Sequence, residues 1–82
     1  MGKYKNRLIK KISSNFASAD LANRHGDDIN ELRYLLLAIN DITILIQGYL
    51  SGKIDDAIAT DYAGSLKDSA KRVNELIECS VE

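Results

Sequence analysis

The sequence predicts an all-α fold, and three observations carry that prediction. Leu32, Leu35, Ile39, Ile42, Ile46 and Tyr49 follow one another in alternating steps of three and four, the seam of a helix packed along its length. The 82 residues include no proline and only five glycines, so little interrupts long helices. Hydrophobic residues make up 45% and charged residues 28%, the balance of a folded domain rather than a disordered one. One small helical domain spanning 1–82 is expected, and a core built from a single chain of this size is marginal.

The first helix is expected over 3–24. Tyr4, Leu8, Ile12, Phe16 and Ala19 share one face with Ile9 at its edge, while Lys3, Arg7, Lys10 and Lys11 gather on the other. Lys5 falls within the apolar arc, where its stem packs and its ammonium reaches outward. After Ala19 the stripe fails, because Leu21 points away from it, so the helix stops or bends near Ser18–Asp20 or continues to Arg24. Arg24, His25 and Gly26 read as a C-terminal signal.

The second helix is expected over 28–50. Asp28 with Glu31 three residues on forms a capping-box pattern, and Asp27 adds charge suited to the positive end of the helix dipole. Ile29, Leu36, Leu45 and Leu50 flank the seam, and Leu37 and Ile44 fall on its far side. Apolar residues therefore cover more than half of the cylinder. Such a helix has to be covered from at least two sides. Asp41 falls in a narrow polar strip with Asn30 and Gly48, which predicts a solvated position. Gly48 weakens the last turn by about 1 kcal/mol relative to alanine, or permits a close approach. Ser51-Gly52 is the stop signal.

The third helix is expected over 55–79, with Asp55 as N-cap and Ile54 stapling onto Ala59. Ala59, Tyr62, Leu66, Ser69, Val73, Leu76 and Ser80 repeat at heptad spacing, with Ile58, Ala70 and Ile77 beside them. Asp56, Lys67, Asp68, Lys71, Asn74, Glu75 and Glu78 form a solvated back. The short turn after helix two makes helices two and three antiparallel neighbours, an α-hairpin. Helix three covers one side of helix two, so a second hairpin is expected to cover what remains, giving a homodimeric helical bundle. Leu32, Leu35, Leu36, Ile39, Ile42, Leu45, Ile46 and Tyr49 are the predicted core and dimer interface. The alternative is a self-contained three-helix monomer.

Motifs for chemistry are missing: there is no glycine-rich phosphate loop, nucleophile elbow or Cys/His pair at metal spacing. His25 reads as a cap or solvent residue, and Cys79 as a small, partly buried residue of the last turn. A metal cluster of Asp41, Glu75 and Glu78 lacks a second acidic set, so neither metal nor cofactor is expected. The run Tyr34–Leu50 is too short and too polar to span a membrane, Leu8-Ile9 is no signal-peptide core, and a lone cysteine suits a reducing cytoplasm.

Charge is laid out unevenly. Residues 1–25 hold six Lys/Arg and one acid, a formal +5, and residues 26–82 hold five Lys/Arg and eleven acids, −6; together they give the net −1. The expected function is that of a non-enzymatic interaction or regulatory protein of adaptor, inhibitor or immunity type. It would act by protein–protein binding through helix one or a surface at Leu37 and Ile44. The alternative is a nucleic-acid-binding accessory protein that places Lys3, Lys5, Arg7, Lys10 and Lys11 on phosphates. Contact of the basic arm with an anionic membrane surface is a weaker reading.

Overall fold

A computed structural model describes residues 2–81, and the side-chain surroundings of residues 5–79. These residues form three helices and no strand: α1 (Gly2–Arg24), α2 (Asp28–Leu50) and α3 (Asp56–Val81). They pack as a helical bundle 43 Å long and 15–19 Å across, with α2 in the middle, touching both α1 and α3. The predicted side-chain contributions of Lys3, Tyr4 and Ser80 lie outside the described residues.

Both connections are made by glycine. Gly26 and Gly52 have φ of 69° and 81°, the left-handed region that an L side chain resists. At each, two reversed hydrogen bonds close the helix end. Gly26 N–H donates to Asn23 and Asp27 N–H to Ala22; Gly52 N–H donates to Tyr49 and Lys53 N–H to Gly48. This is the six-to-one and five-to-two pattern that satisfies the last carbonyls of a helix. α1 runs through Ser18–Asp20 unbroken, because Ala22 resumes its buried face one turn after Ala19 while Leu21 stays outside.

The N-termini of α2 and α3 are capped by aspartate. Asp55 accepts from the Ile58 N–H at 3.0 Å, as its position predicted. On α2 the cap is Asp27 rather than Asp28: its carboxylate accepts from the Asn30 N–H at 3.1 Å and from the Asn30 side chain at 2.7 Å. Those bonds hold the Asp27 carboxyl below its ordinary value. The expected Asp28–Glu31 box is therefore corrected, since Glu31 turns inward and is used elsewhere.

The core has two parts. Leu8 and Ile12 of α1 meet Ile42 and Leu45 of α2 and Ile54 before α3, with Ile9, Ile44, Ile58 and Tyr62 packed around them. Further along, Ala19 meets Leu35 and Leu76, with Leu32 and Val73 beside them, and Phe16 touches both parts. Ile12, Ile42 and Leu45 are the largest side chains fully removed from solvent. Each such burial contributes about 1.5–3 kcal/mol. Ile54 reaches the core because Gly48 lacks a side chain: a Cβ built there would lie 2.8 Å from Ile54 Cγ1.

Gly48 and Gly64 should therefore respond oppositely to alanine. Gly64 lies within α3 with nothing within 4 Å of a new Cβ, so Gly64→Ala should gain about 1 kcal/mol from helix propensity. Gly48→Ala gains the same propensity but displaces a buried, stiff β-branched side chain, and should be net destabilising by about 1 kcal/mol. Urea unfolding followed by circular dichroism measures both.

Candidate interaction surface

Two polar pins fix α2 between its neighbours. Asp41, predicted to be solvated, is only 5% exposed. Its Oδ2 accepts from Asn15 Nδ2 of α1 at 3.2 Å, and its Oδ1 lies 3.9 Å from the Lys11 ammonium. Asp41 thus lies on the side of α2 against which α1 packs. A carboxylate tolerates that position because it is hydrogen-bonded there and has a cation at its edge.

The second pin is Glu31, 4% exposed. Its two oxygens accept a fork from Arg72 of α3, Nε to Oε2 at 2.7 Å and Nη2 to Oε1 at 2.9 Å. Asn23 Nδ2 of α1 adds a third bond at 3.2 Å, so one carboxylate ties all three helices. The Arg72 fork holds the Glu31 carboxyl below its ordinary value against the opposing effect of burial, and the same contact raises Arg72. Arg72 also reaches Glu75 at 3.3 Å. At the other end of the α2–α3 pair, a hydrogen bond to Asp56 raises the Tyr49 hydroxyl's pKa.

With α1 and α3 in place, one side of α2 stays open. Ile29 is 74% exposed, Leu36 49% and Leu50 78%. These three recur at intervals of seven and fourteen residues, with Thr43 in the same row. Half-buried Leu32, Ile39 and Ile46 alternate with them, so the whole set steps by three and four from Ile29 to Leu50. At 100° per residue this stripe lies about 170° round α2 from Asp41 and roughly 110° from Glu31. It is therefore opposite α1. A shallow groove lined by Ile46, Tyr49, Asp56, Ala59, Thr60 and Ala63 continues the same face onto α3.

The predicted interface residues divide accordingly. Leu35, Ile42 and Leu45 are buried within the single chain, Leu32, Ile39 and Ile46 are half-buried, and Leu36 and Tyr49 are exposed. Of the proposed partner pair, Leu37 is exposed, but Ile44 packs against the Leu8–Ile12 end of the core. The two do not form one free surface, because α1 covers the Ile44 side. Arg7 and Lys10 face solvent, Lys5 is half-buried, and Lys11 leans toward Asp41. Cys79, expected to be partly buried, is exposed, as is His25.

Among the described residues no three metal-ligating side chains come together. Asp41 is held between Asn15 and Lys11, whereas Glu75 pairs with Arg72. Nor is any described helix long and apolar enough to cross a membrane. Glu31 was hidden in the sequence by its resemblance to a capping residue. The available signal was its place on the apolar arc, three and four residues before Tyr34 and Leu35 and eleven before Ile42. Comparison with models of known protein families, with characterised proteins and with solved structures finds no match.

The pin at Glu31 makes a pH-dependent prediction. A carboxyl whose folded pKa is lowered contributes stability above its ordinary value of 4.5, and that contribution is lost as pH falls through the depressed value. Arg72→Ala should cost about 2–3 kcal/mol at pH 7, below a fully buried pair because the Arg72 side chain remains 37% exposed. The penalty should shrink as pH falls below 4.5 and the Glu31 carboxylate is progressively neutralised. Equal penalties at pH 7 and pH 3 would show that Arg72 acts through packing and not through the ion pair.

Proposed function

We propose that this chain is a non-enzymatic helical interaction protein that acts by binding protein through the outer face of α2. The observation that carries this reading is the apolar stripe from Ile29 to Leu50, whose members Ile29, Leu36 and Leu50 stay exposed on a helix that α1 and α3 pack against elsewhere. A stripe of that length and period is what one helix offers to another. In this reading α2 and α3 form an antiparallel hairpin that presents the stripe. Support comes from the opposite order of the pairs Glu31–Arg72 and Tyr49–Asp56 along the two helices, and from the five residues that separate them. α1 then serves as a strut behind the hairpin, and a homodimer is the simplest assembly that covers the stripe.

A photo-crosslinking amino acid at position 36 tests the reading in cells that make the protein. Capture of a protein at position 36, and none at position 17 on the exposed side of α1, is the expected result. Equal capture at both positions, or capture at neither, removes the α2 face from consideration.

A second reading rests on a separate observation. α1 packs through its apolar face, which leaves Arg7 and Lys10 in solvent. A phosphate backbone could lie along that side of the bundle. Fluorescence anisotropy with a labelled duplex should then show binding that weakens steeply between low and moderate salt, and Arg7→Ala with Lys10→Ala should reduce the salt slope by about 2. Absence of binding at low salt leaves the protein-binding reading alone.

A further inference from the structure

We infer that the flank shared by α1 and α2, on the side away from α3, lies on the phosphate backbone of duplex nucleic acid, with Arg33 and Lys53 joining Arg7, Lys10 and Lys11 as contacts. This rests on the nucleic-acid reading of α1 and extends it to a second helix and the turn that follows.

The two buried carboxylates locate the flank. Asp41 meets Asn15 within the α1–α2 contact, and Glu31 meets Asn23 on the side where Arg72 of α3 arrives. At 100° per residue Arg33 lies about 80° round α2 from Asp41, in the direction opposite to Glu31. On α1, Lys11 and Arg7 lie about 40° and 80° from Asn15, in the direction opposite to Asn23, with Lys10 further round. Both rotations lead to the same side of the bundle. Gln47 is turned the same way as Arg33, and a hollow lined by Ile44, Gln47, Gly48, Ser51 and Lys53 brings the turn after α2 onto that side. All five cations are exposed, Lys11 at 60% despite its 3.9 Å approach to Asp41.

Acids are kept off this side. Among residues 5–53, Glu31 and Asp41 are buried, Asp20 pairs with Arg24, and Asp27 is engaged as the α2 cap. Asp28 is turned about 140° from Asp41 in the Glu31 direction. The exposed acids Asp55, Asp56, Asp61, Asp68, Glu75 and Glu78 all come with α3 and its cap. A polyanion is therefore drawn to the α1–α2 flank and repelled by α3. The uncharged groups select nucleic acid. Ser14, Asn40 and Gln47 stand exposed among the cations, and these are side-chain types that hydrogen-bond phosphate and sugar. Among the described residues no aromatic ring is free there to stack on unpaired bases: Phe16 and Tyr34 pack on the core, and Tyr49 bonds Asp56. That favours a duplex. The bonds Asn15–Asp41 and Asn23–Glu31 run in opposite senses along the two helices, so Arg7 stands level with about residue 48 of α2 and roughly 20 Å from Arg33 along the axis. A duplex carries one charge per ~1.7 Å of its axis, so every cation on that line has a phosphate within reach.

Fluorescence anisotropy of the full chain with a labelled duplex, titrated from about 50 to 200 mM salt, tests the flank. Five phosphate contacts give a log–log salt slope of about −4.5, and Arg33→Ala with Lys53→Ala should bring it to about −2.7 with unchanged helical circular dichroism. Should that pair unfold, Arg33→Gln with Lys53→Gln makes the same test. Lys67→Ala with Lys71→Ala, at exposed positions of α3, should leave the slope as it is. A slope unchanged by the Arg33 and Lys53 substitutions but lowered by Arg7→Ala with Lys10→Ala overturns the shared flank and leaves the α1 reading standing. An equal effect of the α3 pair overturns it as well. Polyglutamate that displaces the duplex at equal charge concentration overturns nucleic acid as the occupant. Absence of duplex binding at low salt removes the flank and the α1 reading together.

Discussion

The circumference of α2 is the constraint from which the rest of the structure follows. The helix is apolar over more than half its surface, and neighbours within one chain can cover only part of that. α1 takes the line through Asp41 and Leu45, and α3 takes the line through Glu31 and Leu35. Each neighbour brings a polar anchor, both contribute side chains to the two apolar clusters, and the side opposite α1 is left with Ile29, Leu36 and Leu50 in solvent.

The polar anchors do what apolar packing alone does poorly. Apolar side chains of similar size slide past one another at little cost, so a bundle of them tolerates several registers. A buried carboxylate does not, because a shift of one turn would strip Glu31 of its Arg72 fork and leave Asp41 without Asn15. The tight glycine turns at Gly26 and Gly52 act in the same sense by fixing where each helix begins. Register is thus set at both ends and at two interior points.

Local features of this fold were legible in the sequence, and long-range ones were not. The helix limits, the two glycine stops and the Asp55 cap depend on residues within four positions of one another, where spacing and residue type suffice. Asp41 was misread because its partner Asn15 lies 26 residues away, on a helix whose docking angle no periodicity records. Glu31 was misread for a similar reason: a nearby explanation, the capping box, competed with a distant one, Arg72, 41 residues on. Ile44 was assigned to an open surface because the sequence shows that α1 is amphipathic but not which side of α2 it covers. At the stripe, the excess of apolar residues on α2 was plain, but which of them stay uncovered follows only once both neighbours are placed.

The double anchoring of α2 has a thermodynamic consequence for anything that docks on it. Because Glu31 and Asp41 hold the helix from two directions, the stripe is already formed within the single chain, and no segment has to fold to complete it. Association then carries little backbone ordering entropy. Its heat-capacity change should reflect only the apolar area removed from water at the contact, without the larger change that accompanies folding coupled to binding.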